Sequence, residues 1–433
     1  MAVTGRSVLV ALFAVGAVLI SGRLSALVTA VALALLALLL VLDALLAASP
    51  GALHLSREGD TSLRLGDSAT VYLTVHNPTR RTLRGRIRDA WPPSAHSRPR
   101  SRSLHVPSGE RRRIGTELTP TRRGDARAAG VTVRSIGPLG LAGRQRTLST
   151  PWAVRVLPPF HSRRHLPGKL SRLRELEGQH TVMVRGQGSE FDSLRDYVPG
   201  DDVRSIDWRA TARGEGVVVR TWRPERDRRL LVVLDTGRTS AGRVGDTPRL
   251  DHAMDAALLL SALAGKAGDR VDFLAHDRRV RAQVKASGKG SQVSRIVEAM
   301  ALLEPELVES DPADLVGTIL GTQGRSRKLV VLLTDLDATV LEEGLLPRLP
   351  ALTSRHLLLI ASVRDPAVEA MAEERGTPEA LYRAASAERT LGERRRITAE
   401  LRRLGVEVVD AGPEQIAPAL ADAYLDLKAR GRL

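Results

Sequence analysis

Two apolar segments of the chain end in hard oxygen donors. "VVLDTGRTS" supplies Asp235, Thr239 and Ser240, and "VVLLTDLD" supplies Thr334, Asp335 and Asp337. Carboxylates and hydroxyls gathered at strand ends suit Mg²⁺ or Mn²⁺, and such an aspartate can equally cap the helix or turn that follows it. A third stretch, "GSEFDSLRDYVPGDDVRSIDWRATARGEG" from Gly188 to Gly216, sets seven carboxylates and four arginines among Phe191, Tyr197, Ile206 and Trp208. A solvated loop has no use for the aromatics, and an apolar core strand none for the charges. Here Arg195, Tyr197, Asp201, Asp202, Arg204, Asp207, Trp208 and Arg213 stand out. Bidentate pairing of Arg195, Arg204 and Arg209 with Asp196, Asp201, Asp202 or Asp207 would fix geometry more than add stability. Three roles fit: a clasp between domains with buried apolar anchors, a partner-docking surface, or a carboxylate cluster for hydrolytic metal chemistry. The last lacks a local His-Asp or Glu motif to complete it. His161 and His165 in "HSRRH" have helical ligand spacing without the following Glu of a zincin, and the absence of cysteine excludes thiolate chemistry.

The elements that must position these groups follow from periodicity. From Arg229 onward, "RLLVVLD", "RVDFLAHD", "KLVVLLTDLD", "HLLLIASV" and "VEVVDAG" read as buried strands, most of them separated by helical stretches. That alternation predicts a mainly parallel, doubly wound α/β sheet over 229–433. Its functional edge lies at the carboxyl ends of the strands, where Asp235 and Asp335 fall. Residues 159–228 read as a connector holding the Gly188–Gly216 segment, with one short helical piece, "KLSRLRELE". Between 52 and 158, short alternating runs such as "SATVYLTVHNPT" predict a small β-sandwich, with Asn77-Pro78 and Gly137-Pro138 closing strands.

The first residues differ. Ser7–Ser21 and Leu24–Leu42 are apolar runs separated by Gly22 and Arg23; the second, at 19 residues, approaches the ~20 needed to cross a bilayer, and the first is short. Residues 1–48 therefore read as a transmembrane helical hairpin. Arg6 before the pair and a basic region after it place both ends, and the soluble domains, in the cytoplasm. Of the net charge of +16, +13 belongs to residues 52–157, beside the expected anionic leaflet. Nucleic acid is not expected, because arginines such as Arg111, Arg112 and Arg113 are not interleaved with aromatics.

The Asp-ended strand and the later "LLTD" strand resemble the von Willebrand factor A fold, whose metal site uses D-x-S-x-S, a later Thr and a later Asp. On that resemblance Asp235, Thr239 and Asp335 are the metal candidates of a degenerate site. Gly237 stands where the first Ser belongs, and Ser310 in "ESDP" is the substitute for the intermediate Thr. "GSEFDSLRDYVPGDDVRSIDWRATARG" is similar to the signature of the bacterial "domain of unknown function 58" family, which runs roughly G-x-E-F, L-R-x-Y, G-D-D-x-R-x-I-D-W and A-R. The resemblance implies a membrane hairpin, a β-rich domain and a degenerate A domain. It also implies a MoxR-type AAA+ ATPase as partner and Mg²⁺ bound weakly at most.

The expectation is a membrane-anchored protein-protein interaction adaptor rather than an enzyme. A metal-dependent hydrolase using the strand-end carboxylates is the first alternative, and an exported envelope-binding protein is the second.

Overall fold

The computed structural model describes residues 2–20, 26–183, 190–213, 216–223, 228–286, 292–321 and 327–433. The chain divides into two compact units, 1–157 and 158–433. It is a multidomain protein of mixed sheets and helices.

The first unit opens with a two-residue strand, β1 (Ala2–Val3), and two apolar helices, α1 (Gly5–Ile20) and α2 (Ala26–Leu46). The expected turn residue Arg23 lies outside the described residues. One stretch, Thr29–Ala52, is long and apolar enough to cross a membrane; the 16 residues of α1 reach only about 24 Å at 1.5 Å each. Ten further strands follow: β2 (His54–Gly59), β3 (Ser62–Arg64), β4 (Ala69–His76), β5 (Leu83–Ala90), β6 (Arg102–Val106), β7 (Arg111–Leu118), β8 (Gly124–Arg127), β9 (Gly130–Ile136), β10 (Ala142–Leu148) and β11 (Ala153–Leu157). They form sheets ordered β1-β10-β9-β5-β6, β2-β4-β7 and β3-β11-β8. Along β4, Val71, Leu73 and Val75 are buried while Tyr72 and Thr74 are half-buried, the period-2 pattern of a strand with one core face. Leu73 and Val75 share a core with Leu83 and Ile87 of β5, Leu104 and Val106 of β6 and Val131 and Val133 of β9, so two of the sheets bury their apolar faces together. Asn77 closes β4 as its turn chemistry predicts. Its Nδ2 donates to the carbonyls of Arg81 and Val106, both at 2.9 Å.

The β9–β10 turn receives both ends of the apolar pair. Ala2 and Val3 pair antiparallel with Gly143 and Ala142, and the Thr4 hydroxyl donates to the Gly140 carbonyl at 2.6 Å. Near the end of α2, the fully buried Asp43 carboxylate accepts the backbone N–H groups of Leu139, Leu141 and Ala142 at 2.7, 2.7 and 2.8 Å. Three amides around one carboxylate satisfy a charge that would otherwise be costly to bury. Gly137 faces the same carboxylate, where a Cβ would lie 2.2 Å from Oδ1.

In the second unit, α3 (Leu166–Met183) precedes an antiparallel pair, β12 (Glu190–Asp196) and β13 (Val218–Arg223), whose connection includes the short helix α4 (Trp208–Thr211). Then come β14 (Arg229–Asp235), α5 (Arg238–Ala241), a small ladder of β15 (Arg243–Val244) and β16 (Thr247–Pro248), α6 (Arg249–Lys266), β17 (Arg270–His276), β18 (Val280–Val284), α7 (Gln292–Ala301), α8 (Pro312–Gly321), β19 (Leu329–Leu333), α9 (Ala338–Val340), α10 (Leu349–Thr353), β20 (Leu357–Val363), α11 (Pro366–Ala372), α12 (Pro378–Arg403), β21 (Glu407–Ala411) and α13 (Ile416–Ala429). The main sheet has the order β18-β17-β14-β19-β20-β21, parallel except for the edge strand β18. Every residue of β19 and β20 is buried, as expected of parallel strands covered on both faces. One face packs Leu231, Val233, Val330 and Leu332 against α8, α10 and α12 through Ile319, Leu349 and Leu401; α6 also packs on β14, β17 and α13.

Residues 159–183, part of the expected connector, are built into this unit. Lys169 and Arg172 of α3 pair with Asp422 of α13 at 2.6 and 2.8 Å, and Arg172 reaches Asp426 at 2.7 Å. Apart from "KLSRLRELE", this segment has little sequence period of its own; charge complementarity with a helix some 250 positions later docks it.

Candidate functional site

The sheet runs from β14 to β17 on one side and to β19 on the other, so its topological switch point lies beside β14, where α/β sheets form their crevices. Leu234 is in register with Leu333, which sets Asp235 beside Thr334 at that point. Asp235 is 7% exposed. Its Oδ2 accepts the Thr334 hydroxyl at 2.7 Å and the Thr239 hydroxyl at 3.4 Å. Its Oδ1 accepts the Ser310 hydroxyl at 2.6 Å and the Gly237 N–H at 2.9 Å. The Ser240 hydroxyl bonds the Asp235 carbonyl at 2.7 Å. Ser310 thus joins the cluster, and Gly237 is the reason: a Cβ there would lie 2.2 Å from Ser310 Oγ. The hydroxyl that the sequence lacks at 237 is supplied from the 303–311 loop. Asp337 is a helix cap, accepting the Val340 N–H at 3.1 Å.

Asp335 points elsewhere. Arg249 Nη1 donates to its Oδ2 at 2.6 Å, and Arg394 Nη1 to its Oδ1 at 2.7 Å. Arg394 continues to Asp410 Oδ1 and Ser362 Oγ, both at 2.8 Å. Burial works against the charge on Arg394, yet the carboxylates of Asp410 and Asp335 hold its pKa above the ordinary arginine value. Arg249 Nη1 also donates to the Thr239 carbonyl at 3.1 Å. At the far side, the Asp277 carboxylate accepts the Thr236 hydroxyl and Arg281 Nη1, both at 3.1 Å, and Glu306, beside Asp277, raises the Arg281 pKa. Buried His276 lies 2.7 Å from Asp314 Oδ2.

A divalent ion here would need Asp235, Thr239 and Asp335 to converge with free oxygen lone pairs. Instead both Asp335 oxygens meet guanidinium groups, and Asp235 alone remains to supply charge. The donor set does not fit a resident divalent ion. Arg249 and Arg394 escaped the sequence reading because they lie 86 and 59 positions from Asp335. One signal was present: Arg249 begins α6, where a cation opposes the helix dipole unless an anion faces it.

The signature segment folds as the β12–β13 hairpin and its connection; Gly188, Ser189, Gly214 and Glu215 lie outside the described residues. Three of its carboxylates serve its own turns. Asp201 pairs with Arg195 at 2.6 Å and accepts the Val198 N–H at 3.0 Å across the Pro199-Gly200 turn, with Gly200 at φ +110°. Asp202 accepts the Arg204 N–H at 2.9 Å. Asp207 caps α4, accepting the Arg209 and Ala210 N–H groups at 3.0 Å, and pairs with Arg220 at 2.8 Å. Those bonds, led by the one from Arg220, hold the Asp207 pKa below the usual carboxylate value; the Asp201 carboxylate raises that of Arg195. Tyr197 is half-buried, and its N–H reaches the Val217 carbonyl at 2.7 Å. Arg204, Arg209 and Arg213 make no ion pair among the described residues. Trp208, expected as a buried anchor, is instead 68% exposed, because α4 is a single turn whose cap faces the hairpin and whose first residue faces out. Leu194, Val198, Val203 and Val217 are exposed with it. Sequence periodicity does not reveal this, since it assumes that apolar residues turn inward.

Residues 193–380 match the family model described as "Protein of unknown function DUF58", so the family recognised from the signature stands over that stretch. The chain is 27% identical over 193 residues to Uncharacterized protein Rv1480 of Mycobacterium tuberculosis and to Uncharacterized protein Mb1516 of Mycobacterium bovis, covering 44% of this chain and 60% of each relative. It therefore spans about 60% of the length of the curated relatives it matches. Among solved structures, the CARDB domain of the PF1109 protein from Pyrococcus furiosus is 14% identical, covering 24% of this chain and 91% of that one at a TM-score of 0.19. Proximal thread matrix protein 1 from the mussel byssus is 10% identical, covering 47% of each chain at a TM-score of 0.27. Likenesses at these scores bear on neither fold nor function.

Proposed function

We propose that the protein is a membrane-anchored adaptor whose signature hairpin docks a protein partner. The observation that carries this is the division of labour within the hairpin. Asp201, Asp202 and Asp207 hold its turns, while Leu194, Val198, Val203, Trp208 and Val217 stand in solvent. Exposed apolar side chains set among arginines, with a Trp at hand, are the composition of an interface core. The family resemblance makes a MoxR-type AAA+ ATPase the partner to test first.

The rest of the chain serves as anchor and scaffold. In this reading α1 and α2 are a transmembrane hairpin, both of whose ends return to the β9–β10 turn on one side of the bilayer. The arginine-rich β unit, a β-sandwich, lies at the cytoplasmic leaflet, and the second unit is a degenerate von Willebrand factor A-like domain. The hydrolase alternative is disfavoured by the pairing of Asp335 with Arg249 and Arg394, which takes one of its two strand-end carboxylates out of metal chemistry.

The test is capture of the co-expressed MoxR-type ATPase from membranes by the full chain and by Trp208→Ala and Val203→Asp variants. Capture by the native chain, lost in both variants at unchanged melting, is expected. Equal capture by all three would remove the hairpin from the interface.

A further inference from the structure

We infer that the guanidinium of Arg249 is the resident cation of the sheet edge. It holds the position between the Thr239 turn and Asp335 that a divalent ion would take, so the edge works without metal. This stands apart from the docking proposal, since the hairpin can bind a partner whether or not the sheet edge holds an ion.

Four observations carry it. Arg249 is the first residue of an 18-residue helix, where its charge is unfavourable unless an anion faces it, and Asp335 is that anion at 2.6 Å. The pair is withdrawn from solvent, with side chains 17% and 11% exposed, which favours a fixed charge partner over an exchanging ion. The turn wraps the guanidinium closely: Arg249 Nη1 bonds the Thr239 carbonyl, the Arg249 N–H bonds the Gly242 carbonyl at 2.8 Å, and a Cβ on Gly242 would lie 3.4 Å from Nη1. Finally, charge is balanced. Arg249 and Arg394 face Asp335 and Asp410, so a divalent ion would bring two positive charges to a group that needs none. Asp235 adds one negative charge, which Ser310, Thr334 and the Gly237 N–H stabilise by hydrogen bonds without neutralising it; a single carboxylate is a poor ligand set for a divalent ion.

The experiment uses the detergent-solubilised full chain. Mn²⁺ uptake is followed by electron paramagnetic resonance, and the melting midpoint is compared with chelator and with millimolar Mn²⁺ or Mg²⁺. The native chain should show no saturable uptake and no midpoint shift. Arg249→Ala should gain a saturable Mn²⁺ site where the native chain shows none, and adding Asp335→Asn should abolish the gain. Arg249→Lys, which keeps a cation in place, should gain nothing; Arg249→Gln carries the same expectation as the alanine variant should that one fail to fold. Saturable uptake by the native chain that Asp235→Asn or Asp335→Asn removes would overturn the inference whatever the variants do. So would a folded Arg249→Ala or Arg249→Gln chain that takes up no Mn²⁺.

Discussion

Ser310 reaches Asp235 at 2.6 Å through the space left open by the glycine at 237. A Cβ at that position would also lie 3.0 Å from the Val308 carbonyl, which already accepts the Arg238 N–H. Gly237→Ala is therefore expected to expel the Ser310 hydroxyl and cost about 1–3 kcal/mol, read from urea denaturation midpoints. Gly237→Ser should behave likewise rather than complete a metal site. A midpoint equal to native would mean that the loop yields freely and the contact is incidental.

Trp208→Ala should leave stability within about 0.5 kcal/mol of native, as for surface substitutions, because the ring is 68% exposed. A buried Trp would cost ~3–5 kcal/mol. Thermal melting separates the two outcomes, and a loss in the larger range would contradict the exposed placement.

Asp255 of α6 accepts the Ser162 N–H at 3.1 Å and its hydroxyl at 3.0 Å. Burial raises its pKa above the ordinary 3.8, with Ser162 partly opposing. Between the unfolded and the raised folded value, the folded chain binds more protons than the unfolded one, so this group's contribution to stability falls as pH rises through that window. Asp255→Asn should flatten that decline. The check is denaturation midpoint against pH from about pH 4 upward; an identical slope in the variant would exclude Asp255 as its source.

The buried Tyr424 hydroxyl donates to Asp269 Oδ2 at 2.5 Å, and Lys428 approaches the same carboxylate at 3.5 Å. Burial, the Asp269 charge and this hydrogen bond all raise the Tyr424 pKa. Tyr424→Phe keeps the volume and removes the donor, so it should cost about 1–3 kcal/mol by chemical denaturation. No loss would show that Lys428 alone satisfies Asp269.

Asp43→Ala leaves the Leu139, Leu141 and Ala142 N–H groups without their shared acceptor and should cost about 3 kcal/mol or more. The measurement is thermal melting of the full chain in detergent. A native midpoint would mean that these amides find other partners, so that the carboxylate is not what holds the β9–β10 turn to α2.

Much of the scaffold was legible because it rests on local periodicity. All five expected strands of the α/β sheet form, and the most buried of them, β14, β19 and β20, are the most apolar because they are covered on both faces; β21, at the sheet edge, is half-buried throughout. The alternation of Val71, Leu73 and Val75 marked a one-faced strand. The edge strand β18 was not anticipated: "VRAQV" is half exposed and carries no buried run.

By itself, the sequence determined which aspartates end strands, which stretch is apolar enough to span a bilayer, and which segment carries the family signature. All of these follow from residue type and near-neighbour spacing. Only the tertiary structure decided what those groups face. Asp335 became a partner of Arg249 and Arg394 rather than a ligand, Ser310 entered the space at Gly237, and Trp208 turned outward. Each depends on register and packing between elements distant in sequence. A charge can take any counter-ion the fold brings within reach, and no spacing rule names one that lies 86 residues away.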